Sequence, residues 1–357
     1  MTHDFLIIGG GIAGISAAAE LAPLGSVLLL EAEPALAYHA SARSAALYEP
    51  RYGNPAVVAL SLASQPAFEA SGTLSPRGLM LVDAPDQRAR FDAHVKDFEL
   101  TELTLPEAQA LFPILNPATV GLAAHAPHAW DIDTDLLIQS FLRRAKAAGA
   151  QVQTGARVSR ITRTPDGWEV TAGPETHRAR MLFNAAGAWA DPVAAMAGIA
   201  PKGVQPLRRS MARLPAPGGR DTSQWPMVIG GNEDWYCKPD AGALIVSPAE
   251  EDPTEPHDAW ADDMVLAEGL ARYEDMVTEP VTRLLASWAG LRSFAPDRVP
   301  LLGPDPAEPL FFWVAGQGGY GFQTCFGAAR LIADLVSARP PELHAKIRAA
   351  LDPARFG

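Results

Sequence analysis

The sequence predicts an α/β protein built from two interwoven domains. Three observations lead to this prediction: the length, a strand–turn–helix–strand unit at the N-terminus, and a second glycine-rich turn near the C-terminus. The 357 residues correspond to about two domains. A content of 48% hydrophobic and 20% charged residues is typical of a globular chain with a large core. No segment has the composition of an interdomain linker, so we expect the chain to cross between the domains several times.

Charge and cysteine content exclude several classes of protein. The 29 lysines and arginines and 41 aspartates and glutamates give a net charge of −12 at pH 7, which disfavours binding to nucleic acid. Two cysteines, Cys237 and Cys325, are too few for a disulfide framework or a structural Cys-x-x-Cys zinc site. The histidines contain no His-Glu-x-x-His pattern, and we predict no metal site.

The apolar N-terminal run Phe5–Leu24 is predicted to form a strand, a turn and a helix rather than a membrane span. It contains Glu20 and four glycines, and no basic segment precedes it. No other apolar run is long enough to cross a bilayer. We therefore expect a cytoplasmic protein with no transmembrane segment.

This run forms the first part of a βαβ unit. Strand Asp4–Ile8 leads through Gly9–Gly14 into helix Ile15–Leu24, and Val27–Leu30 is the next buried strand. In such a turn the glycines permit a tight bend, close approach to a pyrophosphate, and helix–strand packing. Glu31 stands 17 residues beyond Gly14 and would accept hydrogen bonds from both ribose hydroxyls, which disfavours NADP. The unit predicts a dinucleotide cofactor.

The middle of the chain mixes both element types, and its last two predicted strands form a hairpin around Pro239–Gly242. The predicted helices are Thr101–Leu111 and Thr134–Ala148, and the predicted strands are Val152–Thr154, Val158–Thr162, Trp168–Thr171, Met181–Asn184, Trp235–Lys238 and Ala243–Val246.

The C-terminal part repeats the strand–turn–helix pattern. Strand Phe311–Ala315 runs into Gly316–Gly321, and a helix follows from about Thr324 to Val336. A helix that starts at such a turn could direct its positive end at a flavin ring, which favours FAD over NAD. A tight structural turn is the alternative interpretation.

The chain resembles the FAD-dependent amine and amino-acid oxidoreductases of the D-amino-acid oxidase, glycine oxidase and sarcosine oxidase superfamily. Within it, the similarity is greatest to bacterial D-amino-acid dehydrogenases of the D-arginine dehydrogenase type. The matching stretches are Ile7–Gly14, Tyr38-His39, Ser41, Arg43–Ala46, Tyr52-Gly53, Asp131–Asp135, Asn184–Trp189, Gln205-Pro206, Arg208–Ser210, Tyr236, Lys238–Gly242, Trp288–Phe294 and Phe312–Thr324.

The resemblance implies a Rossmann-like FAD-binding domain interwoven with an α+β substrate domain built on a mostly antiparallel sheet. We assign residues 1–75, 131–204 and 286–357 to the FAD-binding domain, and residues 76–130 and 205–285 to the substrate domain. FAD is expected to bind non-covalently, with Cys325 a buried, inert thiol. The cofactor residues implied are Gly9, Gly11, Ile12, Ala13, Gly14, Glu31, Ala32, Arg43, Ser44, Ala45, Val158, Ala186, Gly187, Trp189, Gly290, Gln317, Gly318, Gly319, Tyr320, Gly321, Gln323 and Thr324.

Five residues are implied to bind the substrate backbone. Arg292 and Arg209 would grip its carboxylate, because a planar guanidinium meets a carboxylate with two hydrogen bonds. Tyr52 and Tyr236 would add hydroxyl donors, and the Gly319 carbonyl would receive the amine. From the residues alone, Arg209 could equally lie on the surface and the tyrosines could be core aromatics.

The side-chain pocket implied by the resemblance contains Leu47, Glu49, Leu79, Met227 and Ile229. Leu79 replaces the glutamate that grips a cationic side chain in the D-arginine dehydrogenases, and Leu47 replaces a histidine. An apolar substrate side chain is therefore favoured. Glu49 would restore a preference for cations if it faced the pocket, and its direction is left open.

The resemblance implies oxidative deamination of D-amino acids by hydride transfer from Cα to flavin N5. The imino acid would hydrolyse to a 2-oxo acid and ammonia, and a quinone or oxygen would accept the electrons. One alternative is an oxidase or demethylase of glycine- or sarcosine-like amines. Another is a flavin-carrying subunit of a redox complex. The oligomeric state is left open.

Overall fold

The computed structural model describes residues 2–356. In that range the strands are β1 (Thr2–Ile8), β2 (Val27–Leu30), β3 (Leu47–Tyr48), β4 (Leu74–Pro76), β5 (Leu79–Asp83), β6 (Thr101–Leu103), β7 (Leu122–Ala126), β8 (Trp130–Ile132), β9 (Gln151–Gln153), β10 (Val158–Thr164), β11 (Gly167–Ala172), β12 (Glu175–Asn184), β13 (Gln205–Pro215), β14 (Met227–Gly230), β15 (Tyr236–Asp240), β16 (Ala243–Ser247), β17 (Asp252–Pro253), β18 (Ala286–Phe294), β19 (Leu301–Pro304) and β20 (Phe311–Ala315). The α-helices are α1 (Ile12–Leu21), α2 (Pro55–Ser71), α3 (Arg88–Asp97), α4 (Leu105–Leu111), α5 (Thr134–Ala147), α6 (Ala190–Met196), α7 (Asp263–Asp275), α8 (Gly321–Val336) and α9 (Ala345–Leu351).

The first sheet has the order β10-β11-β12-β1-β2-β9, with β20 beside the end of β12 and β19 on its far side. Its central pairs, β12–β1, β1–β2, β2–β9 and β12–β20, are parallel. Alternate residues of β1 enter opposite cores, because strand side chains alternate between faces. Phe5 and Ile7 pack in the core formed with α1, α5 and α8, whereas Leu6 and Ile8 pack in the core that contains Trp168.

The second sheet has the order β17-β13-β16-β15-β14-β5-β7-β6, with β18 also paired to β13. All of its pairs are antiparallel except β14 with β5. A small third sheet has the strand order β3-β8-β4. The α/β fold class and the mostly antiparallel second sheet are thus confirmed.

Strand β18 connects the two halves of the molecule. It pairs with β13 along its whole length, from Gln205 opposite Phe294 to Arg213 opposite Ala286. The loop after it leads back to β19 and β20 of the first sheet. Its hydrogen bonds are to a strand of the second sheet, although residues 286–357 are predicted to belong to the FAD-binding domain. The division into five segments stays a prediction.

Three predicted helices start at other residues than expected. Helix α1 covers Ile12–Leu21 and so begins and ends three residues before the predicted helix Ile15–Leu24. Thr101–Leu103 forms the edge strand β6, so the predicted helix Thr101–Leu111 was wrong over its first turn. The helix begins after Thr104, where Thr104 and Glu107 form a reciprocal capping box. The C-terminal helix α8 begins at Gly321, three residues before the predicted start at Thr324, so the glycine-rich turn runs directly into it.

No α-helix within residues 2–356 is both long and apolar enough to cross a bilayer.

Candidate active site

The N-terminal glycine turn is closed by contacts that only glycine permits. Gly9 has a φ of +107°, and a Cβ on it would overlap the Ala185 carbonyl at the end of β12. A Cβ on Gly14 would overlap the carbonyl oxygen of Gly9. The first turn of α1 therefore packs directly against the strands, and its backbone faces the cavity described below.

Glu31 braces this turn as well as facing the cavity. Its Oε2 accepts a hydrogen bond of 2.6 Å from the Gly10 N–H, and its Oε1 accepts one of 2.8 Å from the Glu33 N–H. The Ile12 N–H at the start of α1 donates to Ser41 Oγ at 3.0 Å. In the sequence, Ser41 belongs to one of the stretches that resemble the family. Its contact with the start of α1 could not be predicted, because Ser41 lies in a separate loop.

Arg43 ties the loop after β2 to the second sheet. Its Nη1 donates to the carbonyls of Ala259 and Ala289, and its Nη2 lies 2.5 Å from Asp258. The ion pair with Asp258 holds the pKa of that carboxyl below its usual range. Asp258 and Ala259 carried no sequence signal, because they act through a guanidinium some 215 residues away in the chain.

A cavity of about 330 Å³ runs from the glycine turn to β18. Most of the predicted cofactor residues line it: Gly9, Gly11, Ile12, Ala13, Glu31, Ala32, Arg43, Ser44, Val158, Ala186, Gly187, Trp189, Gly290, Gln317, Gly318, Gly319 and Gly321. Three buried polar atoms belonging to residues of its wall have no hydrogen-bond partner within the described residues: His39 Nδ1, Ser293 Oγ and Gln317 Nε2. Unpaired buried polar atoms are costly, so this wall fits a large polar ligand.

Five of the predicted cofactor residues lie outside the cavity wall: Gly14, Ala45, Tyr320, Gln323 and Thr324. Gly14 lies beneath the turn, and Ala45 packs beside Tyr236. Gln323 donates to the Tyr52 carbonyl at 2.9 Å, and Thr324 donates back to the Tyr320 carbonyl at 2.8 Å. Because α8 begins at Gly321, these two polar side chains donate hydrogen bonds to backbone carbonyls of the protein.

Arg292 and Arg209 both line the cavity, on neighbouring strands. Arg292 lies against Gly319, where an added Cβ would be 3.0 Å from its Nη1. Within residues 2–356 it has no hydrogen bond or ion pair from its side chain. Arg209 is 6% exposed, so it is not a surface residue. Burial lowers the pKa of Arg209, and the neighbouring charge of Arg292 lowers it further. Two neighbouring cations in the wall of one cavity, Arg209 buried and Arg292 half-buried, require an anion.

The two predicted tyrosines lie near these arginines but outside the cavity wall. Tyr236 is buried, and its hydroxyl contacts the Met211 sulfur at 3.4 Å. The Tyr52 ring packs edge-on against Tyr320, with centroids 5.4 Å apart. Both tyrosines contribute to the electrostatic environment of Arg209. The structure thus brings together all four side chains predicted to bind the carboxylate.

The four apolar residues predicted for the side-chain pocket form one cluster. Met227 on β14 is paired directly with Leu79 on β5. Leu47, Met227 and Ile229 pack against the core that contains Leu79, and Tyr52 packs there too.

Glu49 points into the protein. It is 2% exposed, its Oε1 accepts the Arg51 N–H at 3.0 Å, and its Oε2 lies 3.5 Å from Nε2 of His128. That second oxygen has no hydrogen-bond partner in the described part of the chain. Burial raises the pKa of Glu49 to about 7.

The family assignment comes from comparison with known proteins. The model of the DAO family, described as FAD dependent oxidoreductase, matches residues 4–335. The chain belongs to this family. The family is one of FAD-dependent oxidoreductases, and FAD is the cofactor of this chain.

The curated relatives of this DAO-family protein differ in substrate. Mitochondrial dimethylglycine dehydrogenase of Rattus norvegicus is 23% identical over 99% of this chain and 45% of the relative. The chain spans about half the length of such relatives. D-amino acid dehydrogenase of Paramagnetospirillum magneticum is 50% identical, over 15% of this chain and 12% of the relative.

Solved structures share the whole fold. L-proline dehydrogenase from P. horikoshii has a TM-score of 0.85 at 21% identity, covering 99% of this chain and 98% of that one. Glycine oxidase from Geobacillus kaustophilus has a TM-score of 0.83 at 24% identity and covers 99% of both chains. These similarities support the fold of the DAO-family protein. They do not identify its substrate.

Proposed function

We propose that this DAO-family protein deaminates D-amino acids oxidatively. The observation that carries the proposal is the pair of arginines in the cavity wall, Arg209 buried and Arg292 half-buried, of which Arg292 has no anionic partner within the described residues. An unpaired guanidinium in a cavity wall is best satisfied by the carboxylate of a small substrate. The short stretch shared with D-amino acid dehydrogenases supports this choice among amine substrates.

Each residue of the site has a proposed task. Arg292 and Arg209 bind the substrate carboxylate, with the hydroxyls of Tyr52 and Tyr236 nearby. The Gly319 carbonyl receives the amine, so that carboxylate and amine together fix the direction of the Cα–H bond. Bound FAD supplies the two-electron oxidant for removal of hydride from Cα. The resulting imino acid hydrolyses to a 2-oxo acid and ammonia.

The proposed side chain of the substrate is apolar. Leu79, Met227, Ile229 and Leu47 offer aliphatic surface beside Tyr52. The carboxyl of Glu49 is half protonated near neutral pH and bonded to its own loop, so it is a weak attractor for a cationic side chain. We therefore expect apolar D-amino acids to be better substrates than D-arginine or D-lysine.

The cysteines support non-covalent attachment of FAD. Both are buried and neither belongs to the cavity wall. Burial raises the pKa of the Cys325 thiol far above its usual value, which suppresses the reactive thiolate. FAD should therefore separate from the denatured protein.

One experiment tests the proposed function. Purified FAD-loaded protein is mixed anaerobically with D- and L-amino acids, glycine and sarcosine, and bleaching of the flavin absorbance is recorded. Reduction by apolar D-amino acids supports the proposal, and reduction by L-amino acids alone would overturn it. Reoxidation by oxygen and by a quinone is then compared to identify the electron acceptor.

A second candidate is oxidation or demethylation of glycine- or sarcosine-like amines. The relative named dimethylglycine dehydrogenase and the structure named glycine oxidase favour it. It needs the same carboxylate grip but no side-chain pocket. Faster flavin reduction by glycine or sarcosine than by any larger D-amino acid would select this candidate. A third, a flavin-carrying subunit, predicts no reduction by any of these compounds.

A further inference from the structure

A carboxylate of the protein itself already contacts one of the two cavity arginines. Oε1 of Glu251 lies 3.3 Å from Nη2 of Arg209 and 2.8 Å from Nη2 of Arg298. The Arg209 Nε also donates to the Glu250 carbonyl at 2.9 Å. One oxygen of Glu251 is therefore shared between a buried arginine of the site and a second arginine outside it.

The two partners of Glu251 differ in exposure. The Arg209 side chain is 7% exposed and the Arg298 side chain 46% exposed, while the Glu251 side chain lies between them at 36%. The guanidinium of Arg298 stacks over the Phe294 ring, 3.8 Å from its centroid. Phe294 in turn packs edge-on with Tyr320, beside Tyr52. Glu251 and Arg298 thus stand on the solvent side of the proposed carboxylate site.

The backbone beside Glu251 is held by strand pairing, whereas its side chain is held only by the two arginines. β17 begins at the next residue and pairs with Leu207 and Arg208 of β13. The Glu250 carboxylate accepts the Ser210 N–H at 2.6 Å, which fixes the loop against the same strand. Because one oxygen of Glu251 contacts both arginines, Glu251 keeps its ion pair with Arg298 when the contact with Arg209 is lost.

We propose that Glu251 is a competing carboxylate that occupies Arg209 in the free enzyme and yields it to the carboxylate of the substrate. The proposal rests on the proposed function, because it takes the arginine pair as the carboxylate site. Arg298 is the alternative partner that holds Glu251 when the substrate is bound. Glu251 thereby sets the affinity of the site for carboxylates without contacting the reacting atoms.

The competition follows from charge. Without substrate, Glu251 partly neutralises the charge of the two cavity arginines, which reduces the cost of holding two guanidiniums together. With substrate, two carboxylates would compete for Arg209, and juxtaposed like charges oppose binding. Removing the charge of Glu251 should therefore strengthen carboxylate binding. Removing Arg298 should weaken carboxylate binding, because Arg209 is then the remaining arginine that contacts Glu251.

Binding of acetate to the FAD-loaded enzyme tests this, followed by the change in the visible flavin spectrum. Glu251→Gln is expected to lower the Kd for acetate about 5- to 20-fold. Arg298→Met, which keeps an aliphatic chain over Phe294, is expected to raise it several-fold. In the double variant the effect of Arg298→Met should shrink to less than about twofold, since its effect depends on Glu251. Glu255→Gln is the matched control: it removes the same charge from the same loop at an exposed site with no ion pair within the described residues.

Flavin reduction kinetics separate this role from a structural one. Glu251→Gln should lower the KM of the reducing amine and leave the limiting rate at saturation within about twofold, because Glu251 does not touch the reacting atoms. A Kd for acetate that is unchanged or raised in Glu251→Gln, with Glu255→Gln like wild type, overturns the proposal. Failure of acetate to compete with the reducing amine in wild type would instead overturn the carboxylate site, and with it the proposed function.

Discussion

Arg292 lies so close to Gly319 that a methyl group on residue 319 would be 3.0 Å from Nη1 and 3.1 Å from Cζ. The Arg292 side chain on β18 therefore packs directly against the glycine turn before α8. Gly319 keeps the guanidinium inside the cavity wall and leaves space beside it for an anion. This contact links the proposed carboxylate and amine positions in one rigid unit.

Gly319→Ala should displace Arg292 and lower kcat/KM about 10- to 100-fold, because a misplaced clamp costs both affinity and alignment. Steady-state kinetics with the best D-amino acid checks this, with FAD content measured on the same sample. Gly72→Ala is the control, since that left-handed glycine ends α2 with no atom within 4 Å of an added Cβ. Equal kinetics for Gly319→Ala and Gly72→Ala would refute the fit.

Arg292→Ala should weaken substrate binding by about 2–5 kcal/mol, the usual cost of removing one side of a desolvated charge pair. The measurement is kcat/KM together with the Kd for acetate. Arg292→Lys should recover part of the loss, because lysine keeps the charge but not the planar fork. Arg208→Ala is the control: its guanidinium pairs with Asp252 outside the cavity. A kcat/KM for Arg292→Ala within threefold of wild type would contradict the carboxylate role.

Glu49→Gln should stabilise the protein at alkaline pH. Burial raises the pKa of Glu49 from 4.5 to about 7, so wild type is penalised once the unfolded carboxyl ionises. The penalty is absent below pH 4.5, grows from pH 4.5 to 7, and is constant above. At pH 8 the variant should gain about 2–3 kcal/mol in free energy of unfolding.

Urea unfolding of wild type and Glu49→Gln from pH 5 to 9 measures this difference. Burial and Arg51 lower the pKa of the neighbouring His128, so this imidazole does not supply a compensating charge at neutral pH. Glu102→Gln, at an exposed site paired with Arg88, is the control. A stability difference between Glu49→Gln and wild type that stays flat across this range would show that the Glu49 carboxyl has an ordinary pKa.

The kcat/KM should rise with pH between neutral and alkaline conditions, as the amine of the substrate loses its proton. Tyr320 is a poor base for this step, because burial raises its pKa to about 12. The profile of anaerobic flavin reduction at low substrate concentration is the measurement. Tyr320→Phe should keep the same profile shape. A flat profile would contradict the requirement for a neutral substrate amine, and a profile that changes shape in Tyr320→Phe would assign the proton transfer to Tyr320.

Local chemistry accounts for what could be predicted from the sequence. The turn Gly9–Gly14 and Glu31 predicted a dinucleotide site because a left-handed φ and a short βαβ spacing are properties of neighbouring residues. The second glycine turn predicted FAD, and the family comparison confirms that cofactor. Gln323 and Thr324 stay predicted cofactor residues; the hydrogen bonds of their side chains to the backbone of Tyr52 and Tyr320 could not be predicted, because they depend on where α8 begins.

Tertiary structure decided the rest, because it depends on contacts between distant segments. Arg209 and Arg292 converge only through the register of β13 against β18, which sets Leu207 opposite Arg292. The direction of Glu49 depends on packing against His128, 79 residues away. Glu251 carried no pattern at all, since its partners Arg209 and Arg298 are recognisable only as neighbours in space. Sequence determined the cofactor type through short-range geometry, whereas long-range packing decided how charge is arranged around the substrate.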